Sequence, residues 1–491
     1  MKKLFIFIAC FCFSFLYAQR DAPLRVELET AKDASDYNYA AVGEKGVFVF
    51  YEGNSLNKDS VSWVLMQYDT NLQKISNFSI PLPLDVRYVT SFYVESVLYL
   101  LFQDLFQKKT IPNTYLVALD FRNDHLSTDI ITDLPFLEIS KFKAVEGHLL
   151  ISTLKDKEIK LFFYNIKQKQ VYEFKIENAK IFSDEFIEID TFNRKILLGL
   201  GITVTNKNTL LALFETDYNG NLLQEKLFPE LPDYFYNSAR LSIVDSLSAI
   251  IIGTYNTERD KYSGNLHTGV YTLPYINSAF GNPDFYNYLN LKNKDSLAAE
   301  KNKKSNLNLQ LLVGPLYTDS TQFALVTEVF YPEYNYNTTY SNDPYYYNGS
   351  YQAPMNTSFA GYRYVNAYVT TFDKQGRLLW DFYFPFSNML TYRLINRVSV
   401  YFDHQDAIVY YLYNTGLTST LLHGYEILER INTINLETGQ TKDVVEYSRN
   451  LNIEKWYGNN FLITGYQAIK NNGKSSKSKR YVFLMDKVIY R

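Results

Sequence analysis

The stretch that decides the fold is Tyr368-Val369-Thr370-Thr371-Phe372-Asp373-Lys374-Gln375-Gly376-Arg377-Leu378-Leu379-Trp380. β-Branched and aromatic residues run up to an Asp, a short polar turn follows, and a second apolar run begins at Leu378. The first run favours an extended, half-buried strand. Gly376 supplies the positive-φ freedom that a tight hairpin needs. The same marker, an Asp or Asn after an apolar run and before a polar turn, recurs at Asp69, Asp120, Asn165, Asp217, Asn435 and Asp486. With Asp373 included, successive spacings are 51, 45, 52, 156, 62 and 51 residues. The long gap is about three periods wide and implies a degenerate unit plus insertions. Units of this size cannot bury an apolar face alone and must stack on their neighbours, as in propellers and solenoids.

Between these outer hairpins lies a second kind of pair, which ends in a continuous apolar run. Examples are Val97-Leu98-Tyr99-Leu100-Leu101-Phe102, Ala249-Ile250-Ile251-Ile252-Gly253 and Ala407-Ile408-Val409-Tyr410-Tyr411-Leu412. Runs without alternation read as strands covered on both faces. In a propeller such strands pack between adjacent blades. Eight inner pairs can be counted, from Tyr39–Tyr51 to Trp456–Tyr466. Eight outer units match them if the irregular region Tyr271–Leu291 is admitted. The last unit, Arg480–Arg491, is short of one strand, which Arg25–Thr30 could supply. The expected fold is therefore all-β: a β-propeller of eight four-stranded blades, alternatively seven, closed by pairing of the two chain ends. An outer-membrane barrel is the rival, but its strands alternate lipid-facing and lumen-facing residues, and the continuous runs would put apolar side chains in a polar lumen.

The hairpin Tyr368–Trp380 resembles the outer hairpins of bacterial exported β-propellers. It lacks the Gly-His and Trp-Asp pairs of WD40 repeats and the paired glycines of kelch repeats. The resemblance implies a fold and carries no functional residues with it. A composition heavy in Lys, Asn, Ile, Tyr and Phe is similar to that of envelope accessory proteins of Bacteroidota-type cells.

Residues 1–18 read as a secretory signal: Lys2 and Lys3, an apolar stretch Leu4–Leu16, then Ala18 before the expected cleavage at Gln19. The apolar stretch is shorter than the roughly 20 residues of a spanning helix, and no later segment approaches that length. Residues 19–491 are then expected to form one propeller domain. Cys10 and Cys12 lie in the leader and are the only cysteines, so disulfides, thiolate metal sites and cysteine nucleophiles are excluded from the mature chain. The formal net charge of −3 becomes about −5 on loss of Lys2 and Lys3, which gives no reason to expect a nucleic-acid partner.

A Tyr/Asn-rich insertion at about 331–364 contains eight tyrosines between Tyr331 and Tyr351. Its Asn, Pro and Gly content reads as a long loop between Val329 and Val365. Tyr334, Tyr336, Tyr340, Tyr345, Tyr346, Tyr347 and Tyr351 are the candidate partner-binding residues, because Tyr offers large contact area at low entropic cost. The alternative is a loop folded back over one face. The Lys-rich stretches 292–304 and 470–480 read as solvated loop tips, or as contacts to anionic envelope components.

No local pattern carries catalysis. The histidines, His125, His148, His267, His404 and His423, stand apart from one another, and no zinc-protease helix, hydrolase elbow or phosphate-cradling loop is present. His404 between Asp403 and Asp406 comes nearest to a cluster. Asp217-Tyr218-Asn219-Gly220-Asn221 imitates the opening of a calcium loop, but Phe228 stands where a bidentate Glu is required. No catalytic residue, metal or cofactor is assigned. The sequence points to a non-catalytic exported interaction module, periplasmic or peripheral to the outer membrane, whose partner is an envelope or secretion complex of type IX kind. Two alternatives share the fold: a hydrolase of glycans or peptides with an axial carboxylate pair, and a carbohydrate-binding protein.

Overall fold

A computed structural model of the chain describes residues 24–104, 113–132, 134, 138–155, 158–204, 209–257, 268–288, 309–337, 356–386, 389–403, 405–413, 416–436, 438, 443–471 and 478–489. Among them there is no α-helix, only a 3-10 turn at Gly43–Lys45. The strands form eight antiparallel sheets that follow one another along the chain, at 38–83, 86–131, 138–174, 180–227, 235–287, 310–391, 399–435 and 444–489. Six sheets have four strands, five of them in plain up-and-down chain order. The eighth takes three strands from the chain's end, and its fourth is Leu24–Glu29, paired along Lys479–Ile489 from Leu24↔Lys487 to Glu29↔Val482. The fold is an eight-bladed β-propeller closed by its chain ends, as the repeat implies.

Two sheets elaborate the pattern. In the fifth, the first strand is broken into Phe235–Tyr236 and Arg240–Ile243, both paired with Ser248–Asn256, and the last into Ala279–Phe280 and Asp284–Asn287, both paired with Gly269–Ile276. The first break brings the Ser238 carbonyl so close that a Cβ on Gly253 would lie 1.9 Å from its oxygen, which explains the Gly ending Ile250-Ile251-Ile252. The outer turn of this sheet, Asn277-Ser278, holds both residues at positive φ (49° and 57°). Asn277 follows the apolar run as the markers do, but the turn it opens is only two residues long, and this is the degenerate unit inside the long gap.

The sixth sheet corrects the loop expected between Val329 and Val365. Strands Gln322–Asn337 and Asn356–Asp373 pair in register from Gln322↔Asp373 out to Asn337↔Asn356. Pro332 is tolerated because the sheet's first strand, Gln310–Thr318, ends its pairing at Gln310↔Phe330, so the proline lies where no ladder donor is needed on that side. Alternating aromatics and Thr then outweigh the Asn and Gly content.

Contacts divide the chain into two compact units, one of Met1–Pro135, Leu412–Leu417 and Thr433–Arg491, the other of Phe136–Tyr411 and Thr418–Asn432. In each, apolar clusters lie between consecutive sheets. The first unit has one cluster joining the first and second sheets through Phe48, Phe50, Trp63 and Phe102, and one joining the eighth and first through Val47, Val49, Leu462 and Phe483. The second unit has clusters between the third and fourth, fourth and fifth, and fifth and sixth sheets. Each fully buried large side chain contributes about 1.5–3 kcal/mol. The continuous runs are the buried strands, Val97–Asp104 along its whole length.

The sequence markers divide by chemistry. Asp69, Asp217 and Asp373 build one turn: Oδ1 accepts the N–H groups two and four residues on at 2.8 or 2.9 Å. The third residue after the Asp has positive φ, at Leu72 (57°), Gly220 (88°) and Gly376 (85°). Asp120 and Asn165 cap shorter turns through Arg122 and Gln168. Two markers are corrected. Asn435 ends the outer strand Glu426–Asn435, and the seventh sheet's outer turn is at Gly424, with φ 56° and no Asp or Asn before it. Asp486 lies inside Lys479–Ile489 and is buried, its Oδ2 3.1 Å from the Arg25 guanidinium. Urea denaturation should therefore separate two similar-looking sites. Asp217→Ala removes a turn acceptor and should cost about 1 kcal/mol, whereas Asp486→Ala strips a buried cation of a partner and should cost about 3 kcal/mol.

Candidate functional site

In the second unit, the first strands of the third, fourth and fifth sheets carry a ladder of charge. Ser140, Lys141 and Lys143 come from Glu138–Val145, Asp184, Glu185 and Glu188 from Lys180–Asp190, and Arg240 from Arg240–Ile243. Asp184 Oδ2 accepts from Ser140 Oγ at 2.9 Å and Ser152 Oγ at 2.6 Å. Lys141 Nζ donates to the Asp184 carbonyl and lies 3.5 Å from Asp184 Oδ1, and Lys143 lies 3.5 Å from Glu188. Arg240 donates to the carbonyls of Glu185 (3.0 Å), Val313 (3.2 Å) and Gly314 (3.1 Å), and so ties three successive sheets together. Burial pushes the Lys141 ammonium down against the pull of Asp184, and pushes the Glu188 carboxyl up against the pull of Lys143. These groups hold one another and the backbone. Their arrangement is that of an inter-sheet fastening.

A second polar group lies between the fourth and fifth sheets. Glu215, 5 % exposed, receives Lys195 Nζ at 3.0 Å, Ser278 Oγ at 3.3 Å and the Tyr275 hydroxyl. Lys195, Tyr275 and Ser278 line a pocket of about 140 Å³ together with Asp190, Asn193 and Asp245. Its lining includes both donors and acceptors. In the first unit, Tyr39, Tyr88 and Glu454 come from the first strands of the first, second and eighth sheets. Burial pushes Tyr39 and Tyr88 up to about 12 and Glu454 up to about 7.

The described histidines do not converge. His148 bonds to Asn165 (2.9 Å) and Asn219 (3.1 Å), fastening two outer turns. His423 Nδ1 lies 2.7 Å from Asp406 Oδ1. Asp403 and Asp406 face each other at the end of an inner hairpin, while His404 and His267 lie outside the described residues. Among the described residues no group of three or more His, Cys, Asp or Glu could hold a metal ion.

The sixth sheet presents an exposed ribbon. Beyond Phe330 the two long strands continue as a ladder whose cross-strand pairs include Tyr334↔Phe359. Tyr334 is 45 % and Phe359 41 % exposed. From them a chain of rings leads inward: Tyr334–Phe359 (5.7 Å between centroids), Phe359–Tyr362 (5.0 Å), Tyr362–Phe330 (5.8 Å), Phe330–Tyr364 (6.2 Å), Tyr364–Phe386 (5.6 Å) and Phe386–Tyr411 (5.2 Å). All lie within the range of favourable aromatic pairing. Arg363 clamps Glu333 through Nε (2.6 Å) and Nη2 (2.8 Å). Of the partner-binding candidates, Tyr334 and Tyr336 therefore stand on a strand, while Tyr340, Tyr345, Tyr346, Tyr347 and Tyr351 lie outside the described residues. Phe359 and Tyr362 were missed from sequence. No alternation marks them, since Ala360 and Gly361 are both buried and the ladder shifts register between Glu333 and Tyr334.

No known protein family matches the chain, and no curated protein does. Among solved structures, the chain is similar to the Dos1 propeller at 11 % identity, covering 82 % of this chain and 92 % of that one with a TM-score of 0.42. It is similar to the β-propeller domain of the Trilobed protease from Pyrococcus furiosus at 9 % identity, covering 83 % and 97 % with a TM-score of 0.35. It is also similar to the polysaccharide lyase Uly1 at 7 % identity, covering 82 % and 89 % with a TM-score of 0.42. These are likenesses of fold.

Glu454 makes a pH prediction. Its folded pKa stands above the ordinary carboxylate value, so the folded state holds the proton more tightly than the unfolded state. Its stabilisation is complete below about pH 4.5 and is lost as pH rises through about 7. The thermal midpoints of wild type and Glu454→Gln should coincide at about pH 4.5 and diverge in favour of the variant above about pH 7. Parallel midpoints across that range would show that Glu454 is not held neutral.

Proposed function

We propose that this chain is a non-catalytic exported interaction module that docks on, or gates, an outer-membrane or secretion complex of the type IX kind in a Bacteroidota-type envelope. The observation that carries docking is the aromatic ribbon of the sixth sheet. Isolated two-stranded ribbons are marginal in water, yet here exposed rings are joined by an unbroken chain of ring contacts to Tyr411, which is buried. A rigid, anchored aromatic edge loses little conformational entropy on binding a protein surface. Its only described charges, Glu333 and Arg363, pair with each other, which leaves the rings as the contact groups. The ladder Lys141–Asp184–Glu185–Arg240 supports the non-catalytic side, since those charged groups are engaged in joining sheets. Export and envelope location rest on the signal-like residues 1–18.

Glycan binding is favoured by one separate observation, the pocket around Lys195 and Tyr275, whose mixed donors and acceptors suit hydroxyl groups. It is small beside ordinary ligand sites of about 300–1,000 Å³, and would hold a single sugar ring at most.

Tagged protein cross-linked in intact envelopes should recover a defined membrane-complex partner, and the double variant Tyr334→Ala/Phe359→Ala should recover it at least about tenfold less well, with unchanged thermal stability of the propeller. Recovery of the bait alone, or undiminished recovery by the variant, would overturn docking through the ribbon.

A further inference from the structure

The crossover from the sixth sheet to the seventh, residues 389–398, is tied down at four places. The Tyr364 N–H donates to the Met389 carbonyl at 3.0 Å, and Leu390–Thr391 pairs with Arg363 and Tyr362. The Tyr364 hydroxyl donates to the Ile395 carbonyl (2.6 Å) and accepts from the Ile395 N–H (3.1 Å). The Tyr317 hydroxyl donates to the Val398 carbonyl at 3.3 Å. The fourth tie is Glu328, whose Oε1 accepts the N–H groups of Arg397 (2.6 Å) and Val398 (2.7 Å). Outward from this strap stand Tyr392, 79 % exposed, and Ile395, 47 % exposed.

Capping two amides needs one acceptor oxygen, which a glutamine would supply. Glu328 brings a second oxygen, Oε2, that is buried and has no hydrogen-bond partner among the described residues, and the Nε of Arg397 is in the same condition. Glu328 has no exposed surface at all. Ionisation there places a charge out of contact with bulk solvent, with no cation in ion-pair contact among the described residues. The groups that face it are Tyr317 from the sheet's first strand, Tyr364 from its third, and Arg397 from the crossover. Burial pushes both tyrosines up, Tyr317 to about 12, so neither titrates near neutrality. Burial likewise pushes the Glu328 carboxyl up to about 7, against the two amides and Arg397, which pull it down.

We propose that Glu328 is a proton-operated clasp: neutral, it holds residues 389–398 against the sixth sheet, and ionised, it releases them and alters the posture of the aromatic ribbon through the Leu390–Thr391 bridge. The two unpartnered groups define the second state. On losing its proton the carboxylate holds the two amides more strongly at Oε1, but Oε2 then carries charge that must draw in water or the guanidinium of Arg397, and making room for either moves residues 389–398 off the sheet. That the clasp regulates docking rests on the docking function above. The clasp itself does not.

Hydrogen exchange on the full chain without any partner tests it, across about pH 5.5 to 8.5 and corrected for intrinsic exchange rates. Amides of 389–398 and 356–364 should lose about tenfold in protection as pH rises through neutrality, and Glu328→Gln should hold them level throughout. Level protection in the wild type, or an unchanged loss in Glu328→Gln, overturns the clasp. A loss confined to 389–398 overturns its coupling to the ribbon. Should Glu328→Gln fail to fold, Arg397→Gln decides: removing the cation should move the transition to higher pH, and an unmoved transition overturns the proposal. Failure to capture a partner in envelopes leaves this readout untouched, so the two failures are distinguishable.

Discussion

Face-to-face burial of one sheet by the next is the interaction on which the rest of the structure depends. Each sheet has a central strand, such as Val97–Asp104 or Ser248–Asn256, whose apolar side chains point to both faces. Alone, such a sheet would leave at least one face in water. Covered by neighbours, it gains the hydrophobic term on each side, and the apolar clusters draw residues from two sheets each. A chain of this length is large enough to hold a core on that burial.

Polar chemistry is fitted around that burial. At the first strands, Arg240, Lys141 and Asp184 join sheets through carbonyls and hydroxyls, so their charge serves the frame. At the chain ends, Arg25, Glu27, Asp486 and Arg480 form a partly buried network with Gln467 and Asp443. The sixth sheet departs from the economy of the others. Its two long strands outrun their neighbours and carry rings into solvent, an arrangement that adds little to the core and much to the surface.

The period, the buried runs and the pairing of the chain ends were legible because they follow from strand alternation and from turn chemistry that only a few residues satisfy. Asp69, Asp217 and Asp373 were found correctly because one carboxylate oxygen must accept two amides in that turn. Asp486 was mistaken for a further copy because a buried carboxylate after an apolar run looks the same in one dimension as a turn cap. Its true partner, Arg25, lies at the other end of the sequence. The strand nature of Tyr331–Asn337 was hidden by Pro332, whose tolerance depends on where the neighbouring strand stops, a tertiary fact. Glu328 gave no signal at all, since an acid within Ala-Leu-Val-Thr-Glu-Val-Phe is indistinguishable from an ordinary outward-facing strand residue until its burial is known.

Because Leu24–Glu29 finds its ladder partner in Lys479–Ile489, the first of the described strands waits for the last. The seven sheets between them must be synthesised before the eighth is complete, so a ribosome stalled late would leave the edges of Leu24–Glu29 without their ladder. Such long-range pairing slows folding and lengthens the interval in which those edges are open to chaperones or to aggregation.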